Sequence, residues 1–261
     1  MSEAETLSVF IHSTGTRPSM WDAVPAEVIG TTRKLAPPNL GYPPLAPLLR
    51  GQRVTAADEA AHLLAMIGES PRVHLYAHSY GASVALDLAH RLGPRLASLF
   101  TFEPVFFGAL ALDAGSDPAA VAEAMAFDEH PWFLHDEAVG GTDAWLEHFI
   151  DYWNRPGSWA RMPESMKDES RAVAWKMYQE VRSCFFDVKD FGARPFPEVP
   201  CTIATGERST RGARAMAQAL HRRNPHATFV EIAGAGHMAP LTRPDLVAPA
   251  LIDHARRAGV G

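Results

Sequence analysis

The stretch HLYAHSYGASVAL, residues 74 to 86, puts one hydroxyl where chemistry can be done. An apolar run stops at Ser79, and helix-like periodicity begins at once with Tyr80. A serine that attacks as a nucleophile must present its hydroxyl at the carboxyl end of a strand, on a turn so tight that its neighbours carry almost no side chain. The neighbours here are small: Ala77, Gly81 and Ala82. The usual pattern is G-x-S-x-G; Ala77-His78-Ser79-Tyr80-Gly81 has alanine for the first glycine. A helix starting beside Ser79 also turns its amide dipoles toward any oxyanion formed there. The plain alternative is a serine that only caps a helix. Strand before, helix after and small residues on both sides favour the nucleophile.

Such a turn needs a sheet and covering helices, and the chain supplies both patterns. LSVFIH (7–12) reads as a first strand, followed by a helix over SMWDAVPAEV with Ser19 as its cap. TTRKLAP (31–37) is a weaker strand that leads into the proline-rich loop PPNLGYPPLAPLLRG. TAADEAAHLLAMIG (55–68) is an amphipathic helix with Leu63, Leu64 and Ile67 on one stripe. RVHLYA and LASLFTFEP read as strands on either side of the helix that starts at Tyr80. From about Val105 to Pro197 helices follow one another without strands, and five of the six tryptophans fall there. Strand–helix alternation resumes with CTIAT, GARAMAQALHRR, ATFVEIAG and LVAPALIDHARRA. The expected architecture is therefore α/β: a mostly parallel sheet flanked by helices, residues 1–104 and 198–261, with a helical cap inserted over 105–197.

The whole-chain numbers agree. At 261 residues and 47% hydrophobic the chain can bury a large core, and its net charge of −6 leaves no basic footprint for nucleic acid. MSEAETLSVF carries two glutamates where a secretion signal would want basic residues, and no run is apolar and long enough to span a bilayer. Cys184 and Cys201, the only cysteines, read as buried reduced thiols, which suits a cytoplasmic protein.

HSTGTRPSMW looks like the H-G-x-x-G oxyanion loop of the α/β-hydrolase superfamily, with Ser13 in place of a glycine, and GAGHMAPLTRP (234–244) looks like that family's histidine loop. With the turn at Ser79, the chain resembles that superfamily over nearly its whole length. The resemblance implies Ser79 as nucleophile, His237 as base, and an oxyanion hole made by the backbone N–H groups of Tyr80 and Thr14. The residues add their own argument for His237: it follows the strand ATFVEIAG on a Gly-Ala-Gly loop, and serine early with histidine late is the chain order of this fold. His78 is simply a neighbour of the nucleophile, His130 and His135 lie in the cap without a ligand set, and His12 can be read either way because it ends a strand beside the site.

Two departures from the family pattern matter. Its aspartate usually follows the next-to-last strand, where this chain reads CTIATGERST, with Ser209 roughly at that position and Glu207 nearby. Glu103 in LFTFEPVFF is the favoured acid: a carboxylate among phenylalanines and valine needs a partner to stay ionised, and some branches of the superfamily use that strand. Glu207 is the second candidate, or simply an anion near a helix start. The chain also lacks room for the family's opening hairpin, which would leave TTRKLAP at the sheet edge, guarded by Arg33 and Lys34 and open to homodimer formation.

Serine at the turn points to acyl transfer on a small, largely apolar substrate, with esters, thioesters, lactones, amides and activated C–C bonds all open. Of the cap aromatics Trp132, Phe133, Phe149, Tyr152, Trp153, Trp159 and Trp175, one or two should face the site, with Trp132 and Trp153 as the choice; the others form the cap's own core. Asp136, Glu137 and Asp143 read as a solvated face. Neither a metal nor an organic cofactor is implied. The alternatives are a cofactor-free lyase, perhydrolase or oxygenase on the same scaffold, or a ligand-binding relative with little turnover.

Overall fold

Six short runs, most of them apolar, form strands in the computed structural model, which describes residues 5–260. They are β1 (Leu7–Ile11), β2 (Arg33–Leu35), β3 (Val73–His78), β4 (Leu96–Phe102), β5 (Cys201–Gly206) and β6 (Thr228–Ile232). All pair in parallel in the order β2-β1-β3-β4-β5-β6. Met1–Ala4 and Gly261 lie outside the described residues, and with them Glu3 of the N-terminal glutamate pair.

Helices cover both faces, so the central strands are buried on both sides. Strand alternation sends Val9, Ile11, Leu75, Ala77 and Leu99 to one core, packed under α2 (Ala56–Ile67) and α3 (Tyr80–Leu92). Phe10, Tyr76, Phe100 and Phe102 go to the other, against the C-terminal helix. Thr55 begins α2 with a capping box, its hydroxyl accepting from the Asp58 N–H while Asp58 accepts from the Thr55 N–H. Of the expected stripe, Leu63 and Ile67 are buried and Leu64 is half-buried.

SMWDAVPAEV is not one helix capped by Ser19. Pro18–Trp21 makes a single 3-10 turn after Arg17, with Ser19 inside it, and α1 (Ala26–Ile29) begins after Pro25. Proline disfavours helical backbone at the residue before it, which breaks the run at Val24. Between β4 and β5 come six α-helices, one 3-10 turn at Phe191–Ala193 and no strand: α4 (Phe107–Leu112), α5 (Pro118–Ala126), α6 (Trp132–His135), α7 (Asp143–Trp153), α8 (Ser158–Arg161) and α9 (Glu164–Phe186). After β5 follow α10 (Arg211–Arg223), α11 (Ala239–Thr242) and α12 (Pro244–Arg257). Cys184 and Cys201 are free and buried, and no described helix is long and apolar enough to cross a membrane.

β2 is the sheet edge and only three residues long. Its charges fold back on the same chain: Arg33 pairs with Glu5 at 2.6 Å, and Lys34 Nζ donates to the Trp21 carbonyl at 2.6 Å.

Beneath α12 a polar ladder crosses the sheet. His74 Nδ1 lies 2.9 Å from Ser98 Oγ, His254 Nε2 3.1 Å from the same hydroxyl, and Thr202 Oγ1 2.8 Å from His254 Nδ1. Burial pushes His74 down to about 4 and His254 to about 3, and His12 likewise to about 4. In the unfolded chain these imidazoles take up protons near their ordinary value of 6.5, whereas the folded ones stay neutral until near 4 or 3. The unfolded state therefore binds more protons in that window, and stability falls as pH drops through it, by up to about 1.4 kcal/mol per unit for each histidine. The urea midpoint is expected to drop steeply between about pH 6.5 and pH 4; a flat midpoint would contradict the burial of neutral imidazole.

Candidate active site

The strand order reverses between β1 and β3, and the crevice at the carboxyl ends of such neighbours is where this type of sheet binds ligands. The loop after β1 and the turn after β3 meet there. Ser79 has φ 55° and ψ −121°, a backbone state that non-glycine residues rarely adopt. Its N–H donates to the Phe102 carbonyl at 2.9 Å, and its carbonyl accepts from Ala82 N–H at 2.9 Å, so strand and helix together hold the turn. Gly81 explains the need for small neighbours. A Cβ there would lie 2.4 Å from the His12 carbonyl oxygen and 2.9 Å from that of Ile11, because the start of α3 rests on the end of β1. Gly81→Ala is expected to destabilise the fold by about 2–3 kcal/mol and to slow any reaction at Ser79. Wild-type stability in urea would show that this approach is looser than described.

His237, on the loop between β6 and α11, places Nε2 3.1 Å from Ser79 Oγ and Nδ1 2.6 Å from Glu103 Oε2. All three side chains are buried. Glu103 follows β4 and is the second non-glycine residue with positive φ, at 48°. The bend aims its carboxylate across β5, where Oε1 accepts the Thr205 hydroxyl at 2.8 Å and the Gly206 N–H at 2.7 Å. Burial by itself would raise the Glu103 carboxyl. The His237 hydrogen bond and charge, with the Gly206 N–H and the neighbouring Ser209 hydroxyl, outweigh it and hold the group below its ordinary value. An ionised carboxylate only accepts, so Nδ1 carries the imidazole proton and Nε2 accepts from the Ser79 hydroxyl. That is the protonation pattern a general base needs.

Glu207 lies elsewhere. It is exposed, and Oε2 accepts the Gly234 N–H at 2.8 Å, which ties down the start of the histidine loop without reaching the imidazole. His12 faces away from the reacting groups: Nε2 accepts the Asn39 N–H at 3.0 Å and Nδ1 meets the Ser13 carbonyl at 3.0 Å. In the loop after β1, the Gly15 N–H donates to Tyr42 Oη at 2.8 Å and the Thr16 N–H to the Ser13 carbonyl at 3.2 Å. Thr14 N–H has no acceptor among the described residues, nor has Tyr80 N–H at the head of α3.

Above these groups lies a cavity of ≈ 340 Å³ with Thr14, Ser79 and His237 on its floor. Val105, Phe107, Phe127, Phe149, Ile150 and Val181 make its walls apolar, and Arg17, Asn154 and Glu169 stand at the rim. Trp153 stacks on the His237 ring, centroids 3.7 Å apart and planes 22° apart, and also lines the cavity. Trp132 does not line it. That ring stacks on His130 at 5.0 Å, because the one-turn helix α6 spends its inward face on Phe133 and Leu134. Phe133, Tyr152, Trp159 and Trp175 also pack away from the cavity, while Val105 and Phe107, just past Glu103, were not anticipated as lining. Their position three and five residues beyond the end of β4 is the available signal. Glu137 and Asp143 are partly exposed as expected, but they pair with Arg53 and Arg182, and with Arg171, respectively.

Known structures share this fold. A thermophilic esterase from Thermogutta terrifontis aligns with a TM-score of 0.62 and 18% identity over 97% of this chain and 90% of its own. MGS-M2, an alpha/beta hydrolase from a Medee basin deep-sea metagenome library, aligns at 0.70 and 16% over 97% and 90%. The epoxide hydrolase CorEH aligns at 0.69 and 16% over 96% and 91%. No curated protein sequence matches this chain. The model of the alpha/beta hydrolase family matches residues 9–250, from within β1 into α12, and the chain accordingly belongs to that family.

Proposed function

We propose that the protein is a serine hydrolase that cleaves a carboxylic ester or related acyl bond of a small, largely apolar substrate. The observation that carries this reading is the hydrogen-bonded series from Glu103 through His237 to Ser79, at the floor of an apolar cavity. Ser79 Oγ attacks the acyl carbon as its proton passes to His237 Nε2. The carbonyl oxygen becomes an oxyanion facing the N–H groups of Thr14 and Tyr80, at the positive end of α3. Imidazolium then protonates the departing alkoxide, leaving an acyl group on Ser79. A water that loses its proton to Nε2 attacks this ester, and collapse frees the acid and restores the serine. Glu103 keeps the proton on Nδ1 and stabilises the imidazolium.

In this reading residues 105–197 form a cap whose apolar side chains hold the acyl group, with Trp153 as a lid over the imidazole. Serine at the turn separates this chemistry from relatives that attack with an aspartate, and structural likeness at under a fifth identity does not choose between them. The test is intact mass after exposure to a fluorophosphonate. One adduct on the wild type, on Ser79, supports the reading; no adduct overturns it and leaves ligand binding as the better account. Pairing of two copies through β2 is a separate proposal, and a monomer mass by light scattering at micromolar concentration removes it.

A further inference from the structure

Lys176, buried on α9, is gripped by two carboxylates from different parts of the fold. Its Nζ lies 2.5 Å from Glu59 Oε1 on α2 and 2.6 Å from Glu180 Oε1 on α9. Glu59 Oε2 accepts the Leu40 N–H at 2.9 Å. The other oxygen of Glu180 accepts the Tyr42 hydroxyl at 2.8 Å, and the Tyr42 oxygen accepts the Gly15 N–H at 2.8 Å. The series therefore ends on the backbone one residue beyond Thr14, and the Thr14 side chain itself adjoins Glu180. Gly15 meets α9 a second time: its φ is +69°, and a Cβ there would come within 2.8 Å of Met177 Cε. Lys176 Nζ also lies 4.9 Å from the Tyr80 ring centroid, so the cluster backs both arms of the proposed oxyanion hole.

We infer that Tyr42 is a positioning residue for the oxyanion loop, and that the Glu180–Lys176–Glu59 cluster makes its placement depend on α9 being seated on the core. By accepting the Gly15 N–H, Tyr42 turns that amide to its own side and leaves Thr14 N–H as the loop's donor to the oxyanion. Buried ion pairs of this kind add little net stability over apolar packing, whereas breaking one is costly, so their effect is to hold one arrangement against others. The arrangement held here joins α2, the loop through Tyr42, α9 and the loop after β1. A donor must sit about 2.7–3.1 Å from the forming oxyanion, and an error near 1 Å costs on the order of 100-fold in rate. Cap seating and completion of the hole thereby become one event.

This inference rests on the serine-hydrolase reading, and its test separates the two. Tyr42→Phe is expected to lower kcat on a nitrophenyl ester about 10- to 100-fold with KM changed less than about threefold. Affinity for a trifluoromethyl ketone, whose adduct with Ser79 carries an oxyanion, is expected to fall by the same factor. A merely structural role would lower the melting temperature and leave kcat and ketone affinity at wild-type values well below it, which would overturn the inference. Should Tyr42→Phe fail to fold, Glu180→Gln carries the test, because it keeps an acceptor for Tyr42 while loosening the grip on Lys176. Matched losses in kcat and ketone affinity support the role, and unchanged values overturn it. A wild type that forms no fluorophosphonate adduct sinks the hydrolase reading itself; a reactive wild type with unaffected variants sinks only the positioning role.

Discussion

Ser79→Ala is expected to lower ester turnover by about six orders of magnitude and to abolish the fluorophosphonate adduct, with little change in the thermal melt. Among the described residues the hydroxyl hydrogen-bonds only with His237 Nε2, so its removal leaves no unpaired charge and almost no void. The strained backbone at Ser79 is imposed from outside: the Phe102 carbonyl holds its N–H, and α3 is pressed against β1 through Gly81. Alanine must take the same φ, and the turn keeps its shape. A variant that melts like the wild type yet neither turns over ester nor binds phosphonate locates the nucleophile at this side chain. An adduct that persists in the variant would place the reactive group elsewhere and end the proposed mechanism.

The second large effect concerns the acid. Glu103→Gln is expected to slow turnover by about four orders of magnitude, while Glu207→Gln stays within about threefold of wild type. Oε1 of Glu103 faces two donors, the Thr205 hydroxyl and the Gly206 N–H. In the glutamine variant the amide oxygen belongs at that place, which turns the NH₂ group toward His237 Nδ1. An amide donor there demands an acceptor, so the proton shifts to Nε2, and the imidazole can no longer take the proton from Ser79. Glutamine at 207 still offers a carbonyl oxygen to the Gly234 N–H, its one partner among the described residues, and the histidine loop keeps its tie. Single-turnover acylation by a nitrophenyl ester measures both variants. Near-native turnover in Glu103→Gln with collapse in Glu207→Gln would reverse the assignment of the acid.

Legibility differed between elements for a physical reason. β3, the turn at Ser79 and α3 were readable because strand alternation, small residues and helical periodicity are local properties of a dozen consecutive residues. The alternation of strands and helices fixed the parallel class in the same way. The helix expected over SMWDAVPAEV is broken by a local feature too, the proline at 25. By contrast, the choice between Glu103 and Glu207 turns on which carboxylate meets the imidazole of His237, and the one that does lies 134 residues away in sequence, a matter of β4, β5 and β6 lying side by side.

By itself, then, the sequence determined the fold class, the tight turn that presents Ser79, and the late histidine loop, because each is written in residues that are neighbours along the chain. Tertiary structure alone decided that Glu103 bends across Thr205 and Gly206 to reach His237, that Trp153 and not Trp132 covers the imidazole, and that Tyr42 occupies the Gly15 amide. These contacts join helices and loops whose periodicity shows which face is apolar but carries no information about which partner that face will meet.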